Sequence, residues 1–138
     1  MAVSRHIGKH YVQIDGDVLF MKYVGDLNLP EMEELIALLE QTFGTEPYYA
    51  VLDYSEMASV DAAARKRISA WTTDRGFRGA AIYGASITMR AVTALVQSAI
   101  RLLSKKYIPV TFVKDEAQAR AAVAEMKQRH LAQSKAAS

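Results

Sequence analysis

The 138-residue chain contains no cysteine and no long apolar run. Without cysteine, a disulfide scaffold, a thiolate zinc site and a cysteine nucleophile are all excluded, and the composition suits a reducing compartment. The longest stretch free of charge outside the turns is Ala91 to Ile100. At about 1.5 Å per residue it is too short for a hydrocarbon core of about 30 Å, so the chain reads as not an integral membrane protein. The opening MAVSRHIGKH has no apolar signal core, which makes the cytoplasm the expected location. Neither G-x-G-x-x-G nor G-x-x-x-x-G-K-S/T occurs, so the two common phosphate-cradling loops are missing. No G-x-S-x-G elbow is present to raise a serine nucleophile.

The charge is nearly balanced, at +2, but it is segregated along the chain. Residues 1–61 carry 11 acids and 3 bases, a net −8, and residues 62–138 carry 4 acids and 14 bases, a net +10. That pattern is neither a uniformly basic nucleic-acid binder nor an acidic disordered chain. The bases Arg65, Lys66, Arg67, Arg75, Arg78, Arg101, Lys105 and Lys106 spread over several helices without interleaved aromatics, which argues against nucleic acid. The expected result is an acidic face near the first helix and a diffuse basic remainder.

Periodicity lays out one α/β domain over residues 1–138, with its core at about 10–130 and a frayed tail at 132–138. His10–Ile14 alternates polar and apolar, Val18–Val24 is β-rich, and the Asp15-Gly16-Asp17 between them signals a hairpin. Pro30 suits the first helical position, and Asn28 with Glu31 imitates a capping box. Met32, Leu35, Ile36, Leu39 and Phe43 then form one helical face, ended by Gly44. Tyr48–Tyr54 is a central strand covered on both sides. A second helix runs from Ala62 to about Asp74, capped by Asp61 or Ser59, and a fourth strand covers Ala80–Ala85. Ser86 caps a long helix, Ile87 to about Ser104, with a broad apolar face of Val92, Leu95, Val96, Ala99, Leu102 and Leu103. Ile108–Val113 is the fifth strand. The last helix starts at Asp115 and Gln118 and ends near Leu131. The predicted fold class is a mixed, mostly parallel five-stranded sheet with helices on both faces, in the order ββαβαβαβα.

Few side chains read as chemistry. His6 and His10 are four apart in an extended segment, where that spacing does not align two ligands, and no carboxylate cluster joins them, so no metal, cofactor or catalytic set is assigned. Asp53 closes the central strand, and Ser55, Glu56, Ser59 and Asp61 follow in what reads as a loop beyond the strand's carboxyl end, where α/β sheets place ligands. Local duties for Asp53 and Asp61, a turn and a helix cap, explain them as well as catalysis does. The same loop is the best candidate for an interaction surface.

The segment AVLDYSEMASVDAAARKRI, Ala50 to Ile68, resembles the central signature of STAS domains, the anti-sigma-factor antagonists and their SpoIIAA-like relatives. Asp53 stands at the family's strand Asp and Asp61 at its helix-start Asp, with Ala62, Ala63 and Ala64 in the Ser-Ser-Gly places. A strand-to-helix junction carried by Phe112, Glu116 and Ala117, one register off the common spacing, resembles the endings of bacterial STAS-like proteins related to CRAL-TRIO lipid-binding domains. The resemblance implies a non-enzymatic binding module. It also implies that the family's phosphorylation switch cannot operate here, because Ala63 has no hydroxyl at the phosphoacceptor place. A protein partner would then meet Ser55, Glu56, Ser59 and Asp61, with Arg65 as a rim charge. The alternative is a small-molecule or lipid site in a pocket between the sheet and the third helix. A homodimer through that apolar helix also stays open.

Overall fold

The computed structural model describes residues 2–73, 75–104 and 107–137. Two short turns start the fold. Gly8-Lys9 joins β1 (Ala2–Ile7) to β2 (His10–Asp15), and Gly16-Asp17 joins β2 to β3 (Val18–Leu27), all antiparallel. The predicted hairpin is the second of these. The first strand of the sheet lies upstream of it, so the sheet has six strands, not five. Val3, Ser4, Arg5 and His6 are exposed, as the residues of an edge strand often are, which is why AVSRHI carries no strong alternation.

From β3 onward the sheet is parallel. α1 (Leu29–Thr42), β4 (Tyr48–Val60), α2 (Ala62–Thr72), β5 (Phe77–Tyr83), α3 (Ile87–Ser104), β6 (Val110–Val113) and α4 (Glu116–Ala137) follow, and the strand order is the chain order, β1 to β6. With every crossover moving one place in the same direction and of the usual right hand, successive helices fall on one face. α1, α2 and α3 accordingly cover one side over Leu19, Met21, Tyr48, Ala50 and Ala80. α4 alone covers the other, packing Ala119, Val123 and Met126 on Tyr49, Val51 and Ala81. Because the order never reverses, the sheet has no switch-point crevice of the kind that holds ligands in doubly wound folds.

The helix starts follow the sequence signals. Asn28 Oδ1 accepts the Glu31 amide at 2.9 Å, and Glu31 Oε1 accepts the Asn28 amide at 3.1 Å, completing the capping box. Ser86 Oγ accepts the Met89 amide at 3.1 Å, and Asp115 Oδ1 accepts that of Gln118 at 2.9 Å. Glu31 has a second duty. His10 is fully buried, and its Nδ1 accepts the Val24 amide at 2.9 Å. The ring proton must therefore sit on Nε2, which donates to Glu31 Oε1 at 3.2 Å. The hairpin and the start of α1 are tied through one carboxylate.

Three expectations change. The last helix continues to Ala137 instead of ending near Leu131; its late turns are exposed, and nothing in AQSKAA breaks a helix. The apolar face of α3 is only partly used, since Met89, Thr93 and Ile100 are buried while Leu95, Leu102 and Leu103 are 59%, 83% and 64% exposed. The acids of the first half do not form an acidic face either. Glu34 pairs with Arg5 inside the first half, while Glu33 with Arg67, Glu40 with Arg75 and Asp17 with Lys127 join the two halves. Asp74, the expected end of the second helix, and the bases Lys105 and Lys106 lie outside the described residues.

Candidate functional site

The segment expected to be a loop after Tyr54 is strand. β4 runs on to Val60, and beyond Asp53 it pairs with β3 alone, Glu56 to Val24, Ser59 to Asp26 and Val60 to Leu27. β5 stops at Tyr83, and Gly84 lies so close to Ser55 that an added Cβ would sit 2.8 Å from its backbone. The result is a two-stranded ribbon projecting past the sheet. Two register shifts, between Lys22 and Val24 and between Gly25 and Asp26, each set one extra β4 residue against β3. Each extra residue shifts the inward side chain by one place, turning period two into period three. Tyr54, Met57 and Val60 therefore all face the helical side, and the broken alternation is what made the segment look irregular.

The structure divides the predicted constellation. Ser55 donates from both its amide (2.9 Å) and its hydroxyl (2.6 Å) to Asp53 Oδ1, so Asp53 braces β4 at its first bulge and not a turn. Glu56 pairs with Lys22 at 2.5 Å, raising the lysine's pKa through the hydrogen bond and the carboxylate charge. Ser59 Oγ donates to Asp26 Oδ1 at 2.6 Å. These groups stiffen the ribbon. Asp61 stands at the N-cap of α2 with an exposed side chain that makes no cap bond; its backbone continues the ladder, donating to Leu27 O at 3.0 Å. Ala62 and Ala63 beside it are exposed. Arg65 points elsewhere. It is half-buried and lines an internal cavity, and its Nε is buried with no hydrogen-bond partner. Among the described residues no group of three His, Asp or Glu could hold a metal, and no helix is long and apolar enough to cross a membrane.

That cavity, about 520 Å³, lies between the sheet and helices α1, α2 and α3. Leu19, Ala50 and Ala80 form its floor and Ile68, Val92 and Ile100 part of its roof. It opens along α3, where Ala94, Ser98 and Arg101 are exposed. Left dry, such a void would cost on the order of 12 kcal/mol at roughly 24 cal/mol per Å³. That is comparable to the entire stability of a domain, about 5–15 kcal/mol, so water or a guest must fill it. Tyr54 at its wall is held well into the neutral form by burial, against a hydrogen bond with Thr93 that favours ionisation. Tyr23, packed edge-on to Tyr54 at 5.4 Å, is raised further by burial and by its tyrosine neighbours.

No protein-family model matches the chain, and no curated protein matches it in sequence. Solved structures do. An uncharacterized protein of the DUF3478 family with a SpoIIAA-like fold, from Shewanella loihica PV-4, superposes with a TM-score of 0.58 at 18% identity, over 87% of this chain and 91% of that one. The anti-sigma factor antagonist SpoIIAA, in its unphosphorylated form, superposes with a TM-score of 0.55 at 12% identity, over 81% of this chain and 94% of that one. The fold is SpoIIAA-like. The resemblance noted at Ala50–Ile68 agrees with that fold. The SpoIIAA-like frame brings Asp53 and Asp61 to the two ends of a rigid strand segment, with Ala63 in the first turn of α2. Two features carried no signal in the sequence, namely the cavity and the inward turn of Arg65.

Proposed function

We propose that this chain is a non-enzymatic regulatory module of the STAS type that acts in the cytoplasm by binding a protein partner. The contact surface is the outer end of the β3–β4 ribbon together with the start of α2. The observation that carries this reading is Asp61, whose exposed carboxylate makes no cap bond at the N-cap of α2, beside the small exposed Ala62 and Ala63. Ser55, Glu56 and Ser59 are held by internal partners, so the surface is preorganised and little ordering is lost on contact. The alanine at position 63 leaves no hydroxyl to phosphorylate there, so regulation runs through occupancy and not through that modification. Replacing Asp61 by lysine should abolish pull-down of a specific partner while the thermal transition stays in place. Retention of every partner by Asp61→Lys would refute the assigned surface.

A second reading, a small-molecule or lipid-binding module, is favoured by the apolar cavity beneath α3. Its volume falls inside the roughly 300–1,000 Å³ typical of ligand pockets. The two readings are compatible, because α2 carries both Asp61 on the contact surface and Arg65 on the cavity wall.

A further inference from the structure

We propose that the cavity binds a single-chain amphiphile with a carboxylate head, and that Arg65 is the group that receives the head. This rests on the ligand-binding reading of the cavity and goes beyond it by naming the ligand class and the anchoring residue.

Charge is the first argument. Of the residues lining the cavity, only Arg65 and Arg101 carry charge, and no aspartate, glutamate or lysine joins them. The field inside favours an anion. The two arginines differ in setting. Arg101 is exposed and lies over the ring of Tyr107 at 5.6 Å, where water screens its charge. Arg65 has its Nε out of contact with solvent and unbonded. Two neighbouring arginines reach carboxylates through their terminal nitrogens or Nε, Arg67 to Glu33 and Arg75 to Glu40, although the Nε of Arg75 is buried and unbonded like that of Arg65. Among the described residues none pairs with Arg65. A buried donor on a charged group without an acceptor is costly, and an incoming anion satisfies it. A planar carboxylate matches the guanidinium fork, and a single negative charge matches the one half-buried cation better than a dianion would.

Shape is the second argument. α3 lines the space from Met89 to Arg101, and at about 1.5 Å per residue that span is roughly 18 Å long. Beyond the head, the walls are Leu, Ile, Val, Met and aromatic side chains with few polar groups, which suits a flexible hydrocarbon tail. The mouth lies along α3 at Ala94, Ser98 and Arg101, wide enough along the helix for a tail to enter.

The test uses the full chain, stripped of bound lipid and titrated with dodecanoate and, separately, with dodecanol. Calorimetry gives the affinities, and native mass spectrometry gives the stoichiometry. Dodecanoate should bind one per chain. Arg65→Gln should weaken it about 10- to 100-fold, the worth of a charge-assisted pair, and leave dodecanol unchanged. Arg65→Lys should fall between wild type and Arg65→Gln. Arg101→Gln should have the smaller effect. Equal affinity of the wild type for acid and alcohol, or a larger loss from Arg101→Gln, overturns the role of Arg65 while leaving a lipid cavity in place. Binding of neither probe overturns the cavity reading itself.

Discussion

Replacing Ala80 by isoleucine should stabilise the fold, and the same replacement at Ala81 should destabilise it. The two residues are adjacent on β5 and are 1% and 0% exposed. Strand geometry sends their side chains to opposite faces. Ala80 faces the helical layer of α1–α3 and lines the cavity. Ala81 faces α4, in the cluster with Ala119, Val123 and Met126. α4 sits so close there that a Cβ on the nearby Gly79 would come within 2.7 Å of the Met126 sulfur. Isoleucine adds three carbons. In the cavity they bury surface worth about 0.8 kcal/mol each, or ~2.4 kcal/mol together. Fixing the side chain returns about 0.5–1 kcal/mol of that. The net gain is about 1.5–2 kcal/mol, which for a domain of this size raises Tm by roughly 5–8 °C. At Ala81 no such space exists, and overpacking costs about 1–3 kcal/mol. Urea unfolding followed by circular dichroism measures both, provided the slope with denaturant stays constant. If Ala80→Ile destabilises by as much as Ala81→Ile does, the cavity is closed in solution and the volume argument fails.

Two further outcomes follow from the same structure. Gly84 and Gly16 both adopt left-handed backbone, with φ of +76° and +61°, but only at Gly84 would a Cβ strike another segment, the Ser55 backbone at 2.8 Å. Gly16→Ala should cost about 1–2 kcal/mol from handedness alone, and Gly84→Ala about 1–3 kcal/mol more from the clash; equal midpoints in a denaturant series would refute the close approach. The tyrosines give a pH dependence. Burial raises the pKa values of Tyr23, Tyr48 and Tyr54, so the folded state holds their protons more tightly than the unfolded chain does. Their contribution is complete below the unfolded value of about 10 and is lost as pH climbs from there toward the folded values. Phenolate absorbance from these three should therefore appear only with alkaline unfolding; ionisation before the loss of circular dichroism would contradict their burial.

The caps were the most legible part of the sequence, because Asn28, Ser86 and Asp115 act through bonds to residues three positions away. The ribbon was not legible. Its bulges turn a two-residue period into a three-residue one, and Glu56 and Ser59 read as loop residues when their partners, Lys22 and Asp26, are more than thirty positions upstream. β1 was missed for a related reason. An edge strand tolerates polar side chains on both faces, so only the Gly8-Lys9 turn marked it. The charge split was visible but misread, since linear bookkeeping cannot show that the α1 acids Glu33 and Glu40 meet Arg67 and Arg75. A cavity is missing atoms between elements, and no periodicity within one element reports it.

The monotonic strand order sets how the chain can assemble. Each strand from β2 to β6 docks on the one made just before it, so no step has to wait for a distant segment, and the sheet can lengthen at a single growing edge. α4 is the exception. It turns back from β6 to lie over β4 and β5, and its Lys127 reaches Asp17 across 110 residues of sequence at 2.8 Å. Until those final turns arrive, Tyr49, Val51 and Ala81 remain uncovered, an adhesive surface of the kind that drives aggregation in incomplete chains. The C-terminal helix is thus the latch that ends the vulnerable interval, and truncating it should trap the nascent protein in that interval.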